Sequence, residues 1–126
     1  MTGKIYCSVF PYYDSVKKQR LFKKRPVLII SDIRNGDYNV LPISKISRQD
    51  KRDPEYDISI PVNAFPNLAL SYDSFIRVHK QTMVHQGDLI HEISDLAAEY
   101  KELYIEVIDK LDQYNSLLRE SLLSIF

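Results

Sequence analysis

The sequence predicts a small, strongly bent β-barrel with one helix appended at its C-terminal end. Three observations carry this expectation. Short β-branched or alternating apolar runs recur between residues 4 and 93, punctuated by Pro, Gly and Asn-Gly. Past Ser94 the apolar spacing changes to three and four, and no Gly or Pro interrupts residues 94–126. A chain of 126 residues, 44% hydrophobic and 27% charged, fits a single domain over 1–126 with one core and a helical segment over about 94–126.

The elements follow in order. Lys4 to Phe10 alternates Ile5, Cys7 and Val9 against Lys4, Tyr6 and Ser8, which predicts a strand that Pro11 ends. Residues 12–24 have no period and are expected to form a long loop. Arg25-Pro26 opens Val27-Leu28-Ile29-Ile30, a continuous apolar run expected to be buried on both faces. Asn35-Gly36 signals a tight turn into a strand over Tyr38 to Ser44, where Pro42 implies a bulge or an edge. Residues 45–55 are expected to be a second polar loop. Further strands are expected over Tyr56 to Val62, Ser74 to Thr82 and, after Gly87-Asp88, Leu89 to Ile93. Ser94 is the expected helix cap, with Asp95 in the first turn. Leu96, Tyr100, Leu103, Val107, Leu111, Tyr114, Leu118 and Leu122 then form one apolar stripe. About 27 helical residues would span about 40 Å, more than a small barrel covers, so part of the stripe is expected to meet a second subunit or another partner.

Composition narrows the function classes. The longest wholly apolar run is Val27 to Ile30, far too short to span a bilayer as a helix, and no secretory pattern opens the chain. Cys7 is the only cysteine, which rules out an internal disulfide and a Cys-based zinc site. A cytoplasmic protein without membrane contact is the natural expectation. The net charge is zero, yet residues 1–55 carry 12 Lys/Arg against 6 Asp/Glu, while residues 94–126 carry 3 against 7. A basic front half points to a polyanion partner. The loop containing Lys17, Lys18, Arg20, Lys23 and Lys24 also holds Tyr12, Tyr13 and Phe22. Charge that tracks phosphates beside rings that stack on bases is how single-stranded RNA is held. His79, His85 and His91 recur every six residues, but a Gly87 turn interrupts them, and no metal site is expected.

Gly3-Lys4-Ile5-Tyr6, then a basic segment and Arg25-Pro26-Val27-Leu28-Ile29-Ile30-Ser31, resembles the opening of the PemK/MazF family. Val40-Leu41-Pro42-Ile43-Ser44 resembles the family's third-strand motif, and Asp73 to Gln81 its fifth-strand motif. The resemblance covers roughly residues 3–112 and lies in the order of the three motifs. It implies an SH3-like barrel of the CcdB/PemK/MazF type. It also implies a homodimeric toxin that cuts mRNA without metal or cofactor, and a cognate antitoxin of the MazE/PemI kind.

Metal-free RNA cleavage uses the substrate's own 2′-hydroxyl as nucleophile and needs a base, an acid and positive charge on the phosphorane. Through the resemblance, Arg25 becomes the phosphate-gripping cation. Ser44 stands where the family usually has Thr, and it keeps the hydroxyl. Arg77 and His79 are two apart, so a strand would present both on one face. The family's PemK branch has Arg-X-Asp there, and His79 stands in place of the aspartate; histidine titrates near neutrality and suits acid–base work. The loop histidine of that branch is absent from residues 11–24. Lys80 and Gln81 are further candidates for RNA contact. The competing readings are a non-enzymatic gyrase poison of the CcdB type and a catalytically inactive SH3-like binding module.

Overall fold

The computed structural model describes residues 1–46 and 49–126; Ser47 and Arg48, within the expected 45–55 loop, lie outside the described residues. Among the described residues, seven antiparallel strands and a C-terminal helical pair make up the fold. β1 (Lys4–Asp14) and β2 (Gln19–Ile29) form a long hairpin paired from Ile5↔Leu28 to Asp14↔Gln19. Pro11 therefore does not end the first strand, and residues 12–24 are not a loop. β7 (Leu89–Asp95) pairs with β1 only as far as Ser8, so the outer part of β1 is an edge, where a missing N–H is tolerated. The tip is closed by the Asp14 carboxylate, which accepts the N–H groups of Val16 and Lys17 at 2.9 Å each.

Val27, Leu28 and Ile29 are wholly buried, as the continuous apolar run predicts, because β2 has core on both faces. Asn35 and Gly36 both adopt positive φ, 52° and 82°, the conformation that a two-residue hairpin turn requires. That turn leads into β3 (Asp37–Ser44), the centre of the sheet. One edge of β3 pairs with β2. The other edge pairs first with β6 (Thr82–His85), up to Val40↔Thr82, and then with β5 (Ser74–Arg77), from Ile43↔Ile76. Three steps along β3 thus face six along the opposing chain. The surplus folds into a 3-10 turn, Val78–Lys80. The expected single strand from Ser74 to Thr82 is therefore two strands with a turn between them, and His79 lies in that turn.

Pro42 accounts for the interruption. The Ile30 N–H donates to the Asn39 carbonyl at 2.9 Å, which directs Asn39 and Leu41 toward β2. By alternation Pro42 directs its backbone toward the β5/β6 edge, where it has no hydrogen to offer. The opposing chain leaves the ladder there.

β4 (Asp57–Ile60) pairs with β5, with Asp57 opposite Arg77, and is shorter than the strand expected over Tyr56 to Val62. β7 runs on to Asp95, and Asp95, not Ser94, caps the short helix α1 (Leu96–Glu99) by accepting the Ala98 N–H at 3.1 Å. Gly3 locks this corner. Its carbonyl accepts the Ala97 N–H at 3.1 Å, and a Cβ at Gly3 would lie 2.7 Å from that of Ala97. The chain breaks at Tyr100 and resumes as α2 (Lys101–Leu123). Leu96, Leu103 and Val107 are buried and Leu111 and Tyr114 are half-buried, but Leu118 and Leu122 are exposed. The stripe outruns the barrel, as its length predicts. No helix among the described residues is long and apolar enough to cross a membrane.

Truncating Leu103 should cost about 3 kcal/mol of unfolding free energy, as a buried leucine does. Leu122→Ala, at a residue 73% exposed, should change it by no more than about 0.5 kcal/mol. Urea unfolding of the two variants at low protein concentration checks this; equal losses would mean that the far end of α2 is folded onto the barrel.

Candidate functional site

Residues opposite each other in the hairpin share a face, which groups Ser8, Phe10 and Tyr12 with Leu21, Lys23 and Arg25. Cations lie over rings along this face. The Arg25 guanidinium sits 5.0 Å from the Phe10 ring centroid and Lys23 Nζ 4.8 Å from that of Tyr12. Burial first, and the Arg77 guanidinium second, pull the Arg25 pKa below its usual value. Lys23 is lowered by burial and then by Arg25. Positive charge is concentrated here at some electrostatic cost.

Two clefts meet at Arg25. The first, about 360 Å³, has Lys23, Arg25, Ser44, Lys45 and Tyr72 among its lining residues. Ser44 ends β3 opposite Phe75, and its Oγ is buried with no hydrogen-bond partner among the described residues. Lys45 Nζ lies 4.8 Å from the Tyr72 ring centroid. The second cleft, about 230 Å³, is lined by Phe10, Arg25, Pro42, Arg77 and Lys80. It opens where the chain leaves the β3 ladder above Pro42.

Arg77 is held from behind. Its Nε donates to Asp57 Oδ1 at 3.1 Å and its Nη2 to the Lys51 carbonyl at 2.8 Å. The Asp57 side chain is 1% exposed, and its Oδ2 accepts the Asp53 N–H at 2.7 Å. Asp53 in turn accepts the N–H groups of Tyr56 and Glu55; these bonds, led by that of Tyr56, hold its carboxyl below the usual carboxylate range. Arg77 therefore presents its unbonded N–H groups from a fixed guanidinium.

His79 lines neither cleft. The 3-10 turn sets it behind Arg77, with Nδ1 3.8 Å from Asp57 Oδ1, too far for a hydrogen bond, and its ring edge-on to Tyr114 of α2 at 6.5 Å. The expected shared strand face of Arg77 and His79 is thus replaced by a shared carboxylate. Burial, above all, lowers the His79 pKa from 6.5, and Asp57 opposes that shift. Tyr13, Lys17, Lys18, Arg20 and Gln81 are exposed and line neither cleft, whereas Lys24 joins the first. Sequence reading missed Phe10, Lys45, Asp57 and Tyr72. The alternation of Asp57 with Ile58 was a visible signal, but its pairing with Arg77 needed the register. Among the described residues no three His, Cys, Asp or Glu side chains are grouped to hold a metal ion.

Residues 2–113 match the model of a protein family described as the PemK-like, MazF-like toxin of type II toxin–antitoxin systems. The chain belongs to this family. The mainly antiparallel sheet with its C-terminal helix accords with the family's barrel-like fold. The matched span holds both clefts and the Asp57 cluster of this type II toxin. It ends before Tyr114, so the exposed apolar end of α2, with Leu117, Leu118, Leu122, Leu123, Ile125 and Phe126, lies beyond it. No match is found among individual curated proteins.

The depressed His79 pKa sets a pH dependence of stability. An unfolded chain takes up a proton near 6.5 while the folded one resists, so stability is full above pH 6.5 and is lost as pH falls through the folded value. His79→Gln should flatten the unfolding free energy between about pH 7.5 and 5.5, where ordinary carboxylates stay ionised. Parallel slopes in the two proteins would contradict the burial-driven shift.

Proposed function

We propose that this toxin is a sequence-specific, metal-independent endoribonuclease acting on single-stranded mRNA. The observation that carries the proposal is the convergence of Arg25 and Arg77 on one cleft, with the unpartnered Ser44 hydroxyl in the adjoining one. Two guanidiniums suit a phosphate on which charge grows during reaction. The 2′-oxygen attacks phosphorus as its proton leaves to a base. The bond from phosphorus to the 5′-oxygen breaks, and that oxygen takes a proton. A 2′,3′-cyclic phosphate and a 5′-hydroxyl remain. Arg25 and Arg77 stabilise the phosphorane, Ser44 donates to a non-bridging oxygen, and His79, the titratable group beside Arg77, would move a proton once its turn shifts it from outside both clefts to within reach of the substrate.

The hairpin grips RNA in this reading. Lys23 and Tyr12 extend the cleft along its inner face, Lys24 joins the adjoining cleft, and Tyr13, Lys17, Lys18 and Arg20 add charge and a ring toward the tip. Lys80 and Gln81 hold RNA on the opposite side. Family membership further supports a cognate antitoxin as partner. An acidic, apolar antitoxin segment would compete with RNA for the same basic groove. The apolar end of α2 would pack on a second copy in a cytoplasmic homodimer. That same exposed end favours one competing reading, a poison acting on a protein target through its C-terminal segment.

Purified protein incubated with long RNA in EDTA should yield 5′-hydroxyl ends, and Arg25→Ala should slow cleavage by about two orders of magnitude or more. A strict requirement for Mg²⁺ would refute the mechanism, and an Arg25→Ala variant that still arrests growth would favour the non-enzymatic poison. Replacing Lys17, Lys18, Arg20, Lys23 and Lys24 by Ser should weaken RNA binding and lower its salt dependence by about 0.7 in log–log slope for each phosphate no longer neutralised. An unchanged slope would remove the hairpin from the RNA path.

A further inference from the structure

We infer that Asp57 is a positioning residue that sets both the Arg77 guanidinium and the His79 imidazole for the reaction. The inference rests on the ribonuclease reading for its kinetic part. Arg25 and Arg77 repel each other across their cleft, and nothing in either side chain's own strand offsets this. The neutralising charge comes from β4. Asp57 lies opposite Arg77 in the register, and its carboxylate is buried behind the guanidinium. Its two oxygens do different work. Oδ1 takes the Arg77 Nε–H, and Oδ2 takes the Asp53 N–H, which fixes the plane of the carboxylate. With Nη2 held by the Lys51 carbonyl as well, the guanidinium that lines the cleft is fixed at two of its nitrogens.

The same Oδ1 lies 3.8 Å from His79 Nδ1, within ion-pair range if the ring is protonated. His79 Nδ1 is buried and without a hydrogen-bond partner among the described residues. A closure of about 1 Å would make the bond, fixing a proton on Nδ1 and leaving Nε2 as the basic atom. The groups that face His79 are Asp57 on β4, Asp53 in the turn before it, Arg77 and Lys80 beside it, and Tyr114 on α2. Among the described residues, Asp57 is the carboxylate with an oxygen within 4 Å of both candidate reacting side chains. Lys110 of α2 donates to the Glu55 carbonyl at 2.7 Å and Tyr114 packs edge-on to Tyr56 at 5.0 Å, so the helix braces the turn that leads into Asp57.

The test uses Asp57→Asn, which keeps the shape and removes the charge, and Arg77→Gln, which removes the cation that shares the carboxylate. Cleavage kinetics on an RNA oligonucleotide and NMR titration of the His79 ring are read on each. Asp57→Asn should lower kcat about tenfold to a hundredfold with a smaller change in KM, the signature of misplaced groups rather than weakened binding. It should also move the His79 midpoint down, and Arg77→Gln should move it up. Unaltered kcat and midpoint in Asp57→Asn would overturn the inference, and a lower kcat with both midpoints unmoved would overturn the link to His79. If Asp57→Asn does not fold, Asp57→Glu, which keeps the charge and displaces it by one methylene, is read the same way: a lowered kcat with a moved His79 midpoint is expected, and both unaltered would overturn the inference. If the wild-type protein cleaves no RNA, the ribonuclease reading fails, while the titrations still judge the coupling.

Discussion

A single missing hydrogen governs the functional half of this molecule. By alternation Pro42, in the central strand, turns its nitrogen toward the β5/β6 edge, and there the neighbouring chain leaves the register. The surplus residues leave the sheet as the Val78–Lys80 turn. That departure opens the cleft between Arg25 and Arg77 and lifts Lys80 to its rim. With a donor at position 42, β5 and β6 would be free to run as one strand. Pro42 is then a determinant of where the cavity lies, although it carries no chemistry of its own.

Around this gap the sheet supplies rigidity and the charges supply tension. Val27, Leu28 and Ile29 bury both faces of β2, so Arg25 extends from a segment that has no freedom to retreat. Arg77 is opposed by Arg25 in front and held by Asp57 and Lys51 behind. An anion entering the cleft would relieve that opposition, which is why the proposed function places a phosphate there.

Much of the architecture was legible in the sequence because its signals are local. The Val27–Ile29 run, the Asn35-Gly36 turn and the stripe through Leu103 and Val107 depend only on neighbours three or four residues away. What escaped reading depended on partners distant in sequence. Pro11 looked like a strand end because its loss of a donor was visible and its place on an edge was not. His79 looked like a strand residue on the face of Arg77, since two-residue spacing cannot reveal that the ladder on the opposite side stops at Val40 and restarts at Ile43. Asp57 carried no motif, and only the pairing of β4 with β5 brings it to Arg77. Arg25, Ser44 and Arg77 were identified by motif order, and the clefts bring Arg25 together with each of the other two.

The hairpin has one more consequence. Its basic arm is a two-stranded ribbon paired nearly to its tip, closed by the Asp14 carboxylate. A flexible loop would surrender conformational entropy each time it gripped a strand of nucleic acid, about 1–2 kcal/mol for every residue ordered. In a ribbon that loss is incurred once, at folding. For the proposed RNA such an arm would be a preformed rail, on which Lys23 and Arg25, alternate residues of one face, lie roughly 7 Å apart. Under the proposed function it would discriminate by the spacing and curvature of the backbone laid along it, and a chain locked in a duplex with a different phosphate geometry would find the rail out of step.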